Sequence, residues 1–145
     1  MINDGIFEDR RTLELKYRMP VANIMQFFKG LEDGKIRATK CKKCGEIYFP
    51  PQADCSKCMG KDMEWIDLDG ESSLETFTIV NIPPTSFSNV GSYVVAIGLL
   101  KEGVRVLSWL NDDENHIKIG MKMRLKPVKK EGGYYSYEFF PDDKI

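Results

Sequence analysis

The stretch that decides the fold is Cys41-Lys42-Lys43-Cys44-Gly45-Glu46-Ile47-Tyr48-Phe49-Pro50-Pro51-Gln52-Ala53-Asp54-Cys55-Ser56-Lys57-Cys58. Two C-x-x-C pairs flank a ten-residue insert and use all four cysteines of the 145-residue chain. A C-x-x-C turn aims two thiolates at one point, and two such turns complete a tetrahedron, which is zinc-ribbon spacing. Gly45 follows the first pair, where a tight turn is needed. Four protein ligands (Cys41, Cys44, Cys55 and Cys58) leave no open position, so the metal is expected to be structural rather than catalytic. So short a segment is not expected to fold without it. The alternatives are iron in place of zinc, or two disulfides. Residues 1–20 hold Asp4, Glu8, Asp9, Arg10 and Arg11 and no apolar leader. That points to a cytoplasmic setting, where disulfides are disfavoured.

Charge divides the chain around this motif. The formal net charge is −1, which gives no global pull toward nucleic acid or an anionic membrane. Residues 35–61 nevertheless hold seven basic and two acidic side chains, whereas residues 62–145 hold nine basic and fourteen acidic. A basic metal unit therefore precedes an acidic remainder. The lysines around the cysteines offset the extra negative charge of a four-thiolate site. We expect an arm and helix over 1–34, a ribbon over 35–68 and a further unit over 69–145. No apolar run approaches the roughly 18–20 residues of a membrane span.

On the N-terminal side, Thr12–Met19 alternates as an extended strand or arm, and Pro20 opens a helix. Val21, Ile24, Met25, Phe28 and Leu31 recur at helical spacing, Phe27 widens the stripe, and Gly34 closes it. The stripe packs either on the chain's own body or on a partner, for which Phe27, Phe28 and Leu31 are the candidates. On the C-terminal side almost everything reads as strand. Ile36–Lys40, Glu46–Phe49 and Met63–Ile66 belong to the ribbon. Ser73–Ile82, Ser92–Leu100, Val104–Leu110, Met121–Lys126 and Tyr134–Phe140 follow, with a capped turn from Asn111 to Gly120 between the third and fourth. In Ser73–Ile82, Leu74, Thr76 and Thr78 fall on one side and Phe77 and Ile79 on the other. In Met121–Lys126, Met121, Met123 and Leu125 alternate with Lys122, Arg124 and Lys126. Five strands with a helical insertion at that point is the order of an OB-fold barrel. The fold class is thus mainly β: N-terminal helix, zinc ribbon, five-stranded barrel.

Several motifs in this order resemble one known family. They are Phe27-Phe28-Lys-Gly30-Leu31-Glu-Asp-Gly34-Lys35, Cys41-x-x-Cys44-Gly45, Tyr48-Phe49-Pro50-Pro51 and Cys55-x-x-Cys58. Thr76-Phe77-Thr78, Pro83-Pro84, Tyr93-Val94-Val95-Ala96 and Ile119-Gly120-Met121 complete the set. Over roughly residues 21–140 the chain resembles the two-domain proteins that join a rubredoxin-like zinc ribbon to an acyl-CoA-associated OB-fold, once a domain-of-unknown-function family. The resemblance implies a non-catalytic accessory or scaffold subunit of an acyl-CoA enzyme. Such proteins accompany thiolase-like, dehydratase or aldolase partners, and in archaea bridge acetoacetyl-CoA thiolase and hydroxymethylglutaryl-CoA synthase. It also implies that the helix and ribbon contact the partner while the barrel groove lies near the acyl-CoA. One departure stands out: the family's G-x-G entry to the first barrel strand reads Gly70-Glu71-Ser72 here.

CoA offers an adenine, phosphates and an apolar pantetheine arm, so aromatics and cations at a groove mouth would serve it. The candidates are Phe87 first, on a Pro-flanked polar loop, then Tyr93, Phe49 and Tyr48, with Lys122, Arg124 and Lys126 for the phosphates. Phe49 and Tyr93 compete as core residues, and the three cations as the solvated face of a strand. A catalytic reading finds little. His116 is the one histidine, Ser108 lacks a G-x-S-x-G setting, the cysteines are committed to metal, and Asp112 and Asp113 read as a cap. Two other functions compete. A single-stranded nucleic-acid binder would suit both folds but not the acidic barrel half. An electron carrier would require iron.

Overall fold

The computed structural model describes residues 2–3, 5–7 and 17–142. The expected arm over 12–19 falls largely outside the described residues; within them Tyr17 and Met19 are exposed and irregular. Strands β1 (Ile2–Asn3) and β2 (Ile6–Phe7) form a two-stranded antiparallel sheet.

A 3-10 turn, Ala22–Ile24, leads into α1 (Met25–Glu32). Gly34 ends it in the left-handed region, with φ of 76°, and the N–H of Lys35 donates to Gly30 O at 2.8 Å. The buried face of α1 is Phe27, Gly30 and Leu31. The expectation that Phe27 and Leu31 face a partner is therefore corrected. They are 6% and 2% exposed and pack on the chain's own core, whereas Phe28 and Met25 on the opposite side stay at the surface. Gly30 is the close-packing glycine that a helix interior otherwise avoids. A Cβ there would stand 2.9 Å from Cδ of Arg37, whose side chain crosses the helix to donate to Gln26 O.

The ribbon is a three-stranded antiparallel sheet of β3 (Ile36–Cys41), β4 (Ile47–Tyr48) and β5 (Met63–Leu68), with β3 central. Five further strands close into a barrel: β6 (Glu71–Val80), β7 (Tyr93–Leu100), β8 (Arg105–Leu110), β9 (Lys122–Lys129) and β10 (Tyr135–Pro141). Closure comes from a parallel pairing of β10 with β8, Phe139 opposite Leu110; the other pairings are antiparallel. A 3-10 turn, Glu114–His116, capped by the Asp113 carboxylate, separates β8 from β9. This is the OB-fold order read from the sequence. Among the described residues no helix is long and apolar enough to cross a membrane.

Two details differ from simple alternation. Between Leu74 and Thr76 the register of β6 against β7 shifts, so Glu75 is an extra residue. The bulge resets the parity. Phe77 and Ile79 then join the inner face with Leu74, and Thr76 and Thr78 turn outward. At the barrel entry the close approach rests on Gly70 alone. Its φ is 83°, and a Cβ would lie 2.3 Å from Leu125 O. Ser72 in place of the second glycine is buried, and its hydroxyl donates to Met123 O at 3.0 Å. The departure thus adds a strand-to-strand bond rather than obstructing the turn.

The barrel core centres on Phe139, Met123, Leu125 and Leu74. It continues into the ribbon through an aromatic seam. Phe49 stands 5.7 Å from Phe27 and 4.9 Å from Tyr137, both edge-on.

Candidate metal centre and barrel cleft

The metal centre follows from two turns. In the first, Gly45 N donates to Cys41 O at 2.8 Å, and Gly45 takes a φ of 79° that a side chain would resist. In the second, Cys55 N donates to Gly60 O at 2.8 Å, and Met59 takes the left-handed conformation at φ 58°. The four Sγ atoms then lie within 4.8 Å of one another, with Cys41–Cys58 and Cys44–Cys55 both at 3.6 Å. All four cysteines are free, and 3.6 Å is far beyond a disulfide bond. A tetrahedron of about 2.3 Å Zn–S bonds has edges of about 3.8 Å, so the donor set fits one zinc ion with no open position.

The thiols also behave as a set that needs a cation. Hydrogen bonding from the backbone N–H of Cys44 holds Cys41 below the usual thiol range against the effect of burial. The Tyr48 hydroxyl, ahead of backbone N–H groups, draws Cys55 down to about 6. Cys44 accepts a backbone hydrogen bond from Glu46 that favours its thiolate, yet burial and the neighbouring thiols push it up to about 12. Four crowded sulfurs do not all ionise without a metal to neutralise them.

Tyr48 belongs to this centre rather than to a groove mouth. Its hydroxyl lies 3.2 Å from Cys55 Sγ and 3.2 Å from Ser56 Oγ, and accepts from Lys57 N at 3.3 Å. Its neighbour Phe49 points the other way, into the aromatic seam. At 8% exposure it presents no face to a ligand, which corrects the expectation of Phe49 at a CoA site.

An open cleft lies on the barrel. At about 680 Å³, it runs between the β6–β7 loop, the outer face of β8 and the β9–β10 hairpin. These are the strands and loops with which OB-folds take ligands. Phe87 stands at its edge, in the 3-10 turn Thr85–Phe87, 5.6 Å from the Trp109 ring centroid. Tyr93 stacks on Trp109 at 4.5 Å with 21° between the planes. The Lys130 ammonium sits over Trp109, 5.0 Å from the ring centroid. Lys130 is also ion-paired with Glu138, a 5% exposed carboxylate that accepts from Asn111 Nδ2 at 2.5 Å. Leu107 and Tyr134 form an apolar rim, 63% and 62% exposed. A second cleft of about 610 Å³ lies beside Tyr93 and is bordered by Asp112, Asp113 and Glu114.

Of the expected ligand residues, Phe87 and Tyr93 thus meet in one aromatic group. Lys122, Arg124 and Lys126 line neither cleft. Arg124 is held by Asp142 at 2.9 Å and by Asp69 O, and the Lys126 ammonium stands 5.6 Å from the centroid of Phe140. They are the outer face of β9. The sequence did not single out Trp109, Leu107, Lys130 or Tyr134. The available signal was in Val104–Leu110, where Leu107 and Trp109 share the parity of exposed Arg105, opposite buried Val106 and Leu110.

Comparison with known proteins agrees with this architecture. Residues 28–64 match the family described as the ChsH2 rubredoxin-like zinc ribbon domain, and residues 65–126 match the ChsH2 C-terminal OB-fold domain. A DUF35 domain-containing scaffold protein of Methanothermobacter thermautotrophicus is 34% identical over 110 residues, covering 72% of this chain and 83% of that protein. The benzoylsuccinyl-CoA thiolase subunit BbsA of Thauera aromatica is 33% identical over 43 residues, 30% of each chain. Among solved structures, the Ltp2-ChsH2(DUF35) aldolase superposes with a TM-score of 0.70 at 23% identity, over 81% of this chain and 92% of that one, a likeness of fold. The chain belongs to the DUF35 family of zinc-ribbon and OB-fold proteins.

Proposed function

We propose that this DUF35 protein is a non-catalytic scaffold subunit that binds acyl-CoA and supports a thiolase-like enzyme. The observation that carries the reading is the similarity to the archaeal scaffold protein, which runs through most of both chains. The name of the thiolase subunit supports an acyl-CoA enzyme as the partner, and the DUF35 chain of the aldolase structure agrees with an enzyme partner. Within this reading the arm and helix (1–34) and the zinc ribbon (35–68) face the partner, and the barrel (69–145) holds the ligand. Cys41, Cys44, Cys55 and Cys58 would hold one zinc ion, which fixes the ribbon and supplies no chemistry. Phe28 and Met25, exposed on α1, and Met59, 80% exposed at the second cysteine turn, are among the described apolar side chains available for docking. Phe87 and Tyr93 belong to the ligand side. A nucleic-acid reading is disfavoured because the barrel clefts are bordered by more carboxylates than cations, whereas grooves for single strands are basic.

The test is affinity purification of the tagged full chain from its native cells, with mass spectrometry and metal analysis. The expected result is a thiolase-like partner and one zinc per chain, with loss of the partner's activity when this protein is removed. A lone monomer that shifts single-stranded RNA or DNA at physiological salt would overturn it.

A further inference from the structure

We infer that the barrel cleft takes the neutral pantetheine arm of the acyl-CoA, and that the nucleotide end lies outside it. This rests on the acyl-CoA reading and says which part of the ligand this chain holds. Charge gives the first argument. The cleft is lined by one cation, Lys130, and by two carboxylates, Glu131 and Glu138. Lys130 is already ion-paired with Glu138, so among the described residues the cleft offers a phosphate no unpaired cation and adds a second carboxylate, Glu131. The 3′-phosphate and diphosphate of CoA together carry several negative charges and are repelled there. The cations of β9 do not border the cleft and so cannot compensate.

The second argument concerns stacking. An adenine needs a free aromatic face. Tyr93 stacks on Trp109, and the Lys130 ammonium also sits over that ring. Phe87 stands edge-on to both rings, with interplanar angles of 82° and 79°. Phe87, Tyr93 and Trp109 thus pack mainly on one another, and the ring left most open at the cleft is the single rim residue Tyr134. A pantetheine arm has a branched apolar section and two amides. Leu107, Tyr134 and Val90 match the first, while Ser86, Asn89 and Ser136 lie in reach of the second. The nucleotide end is left for the partner enzyme, which explains why a scaffold, not a self-sufficient binder, would be built this way.

The test is a fluorescence titration of the full chain carrying Trp65→Phe, so that Trp109 is the reporter. The probes are CoA, pantetheine and adenosine 3′,5′-bisphosphate. The expected result is that pantetheine and CoA perturb Trp109 with midpoints within about threefold of each other, since the charged end adds little here. Adenosine bisphosphate should neither perturb it nor displace CoA, and Leu107→Asp, at an exposed side chain, should raise both midpoints at least about tenfold. Displacement of CoA by adenosine bisphosphate, CoA binding without pantetheine binding, or indifference to Leu107→Asp would overturn the inference and leave the acyl-CoA reading standing. No response to any of the three probes, with and without the purified partner, would overturn both.

Discussion

Tyr48→Phe isolates a single atom of the metal centre. The hydroxyl is one donor placed among three groups: Cys55 Sγ and Ser56 Oγ at 3.2 Å, and Lys57 N, which donates to it at 3.3 Å. With Lys57 N and Ser56 able to turn to water, the bond that has no substitute is the one to the buried Cys55 sulfur. That bond favours the thiolate, which is the form that binds metal. Loss of an outer hydrogen bond to a metal ligand costs about 10–100-fold in affinity. Backbone N–H groups of Lys57 and Cys58 still serve Cys55, which places the expected loss in the lower part of that range, about 10–30-fold in zinc Kd. The assay is competition against a chromophoric zinc chelator at fixed pH, followed by acid titration of the loaded protein. Thiolates are protonated as pH falls, and the variant's Cys55 takes its proton at higher pH. The pH of half-release should therefore move up, not down. Wild-type zinc affinity together with an unchanged release pH would refute the argument that the Tyr48 hydroxyl stabilises the Cys55 thiolate.

The other predictions concern the barrel and the docking face. Gly70→Ala forces a left-handed conformation on a residue with a Cβ, at about 1 kcal/mol or more, and drives that Cβ into Leu125 O, breaking the 2.8 Å bond from Leu125 N to Gly70 O. A total of about 3 kcal/mol is expected, seen as a fall in Tm of about 10 °C by calorimetry. Burial raises the Tyr137 phenol above its usual value, so its contribution is full below the unfolded-state value of about 10 and is lost as pH rises through the folded one. Urea midpoints across that range should fall for the wild type and fall less for Tyr137→Phe. Phe28→Asp, at a surface side chain, should abolish co-purification of the partner while the unfolding midpoint stays near that of the wild type; retained co-purification would move the docking face elsewhere.

What could be read in the sequence was what chemistry makes local. Four thiolates must converge, so Cys41, Cys44, Cys55 and Cys58 were legible from spacing alone, and the strict alternation of Met121–Lys126 gave both faces of β9. Harder features depended on closure or on a local irregularity. The bulge at Glu75 has no glycine to mark it, so Leu74 and Phe77 looked like opposite faces when they share one. Phe27 and Phe28 are adjacent and equally apolar, and only the docking of α1 on the barrel decides which is buried. The cleft was least legible. Trp109 lies on β8 and Lys130 in the β9–β10 hairpin, and they meet because β10 closes against β8. The same closure leaves β9 between β6 and β10, its cations away from the opening.

One pair of neighbours joins the two halves. Adjacent strand residues point to opposite faces, and at the end of β4 this sends Tyr48 to Cys55 and Phe49 to Tyr137. Tyr137 in turn lines the barrel cleft, and its carbonyl accepts from Ser108 at 2.6 Å, on the strand that carries Trp109. The path from metal centre to cleft wall is thus a run of direct contacts through one aromatic seam. Stripping the zinc from the Trp65→Phe protein should therefore change the Trp109 emission, and re-adding zinc should restore it. Zinc-saturated Tyr48→Phe should match the wild type, because its seam is intact. Emission that ignores the metal would mean that ribbon and barrel pack as independent bodies, and the helix, not Phe49, would then have to carry whatever joins them.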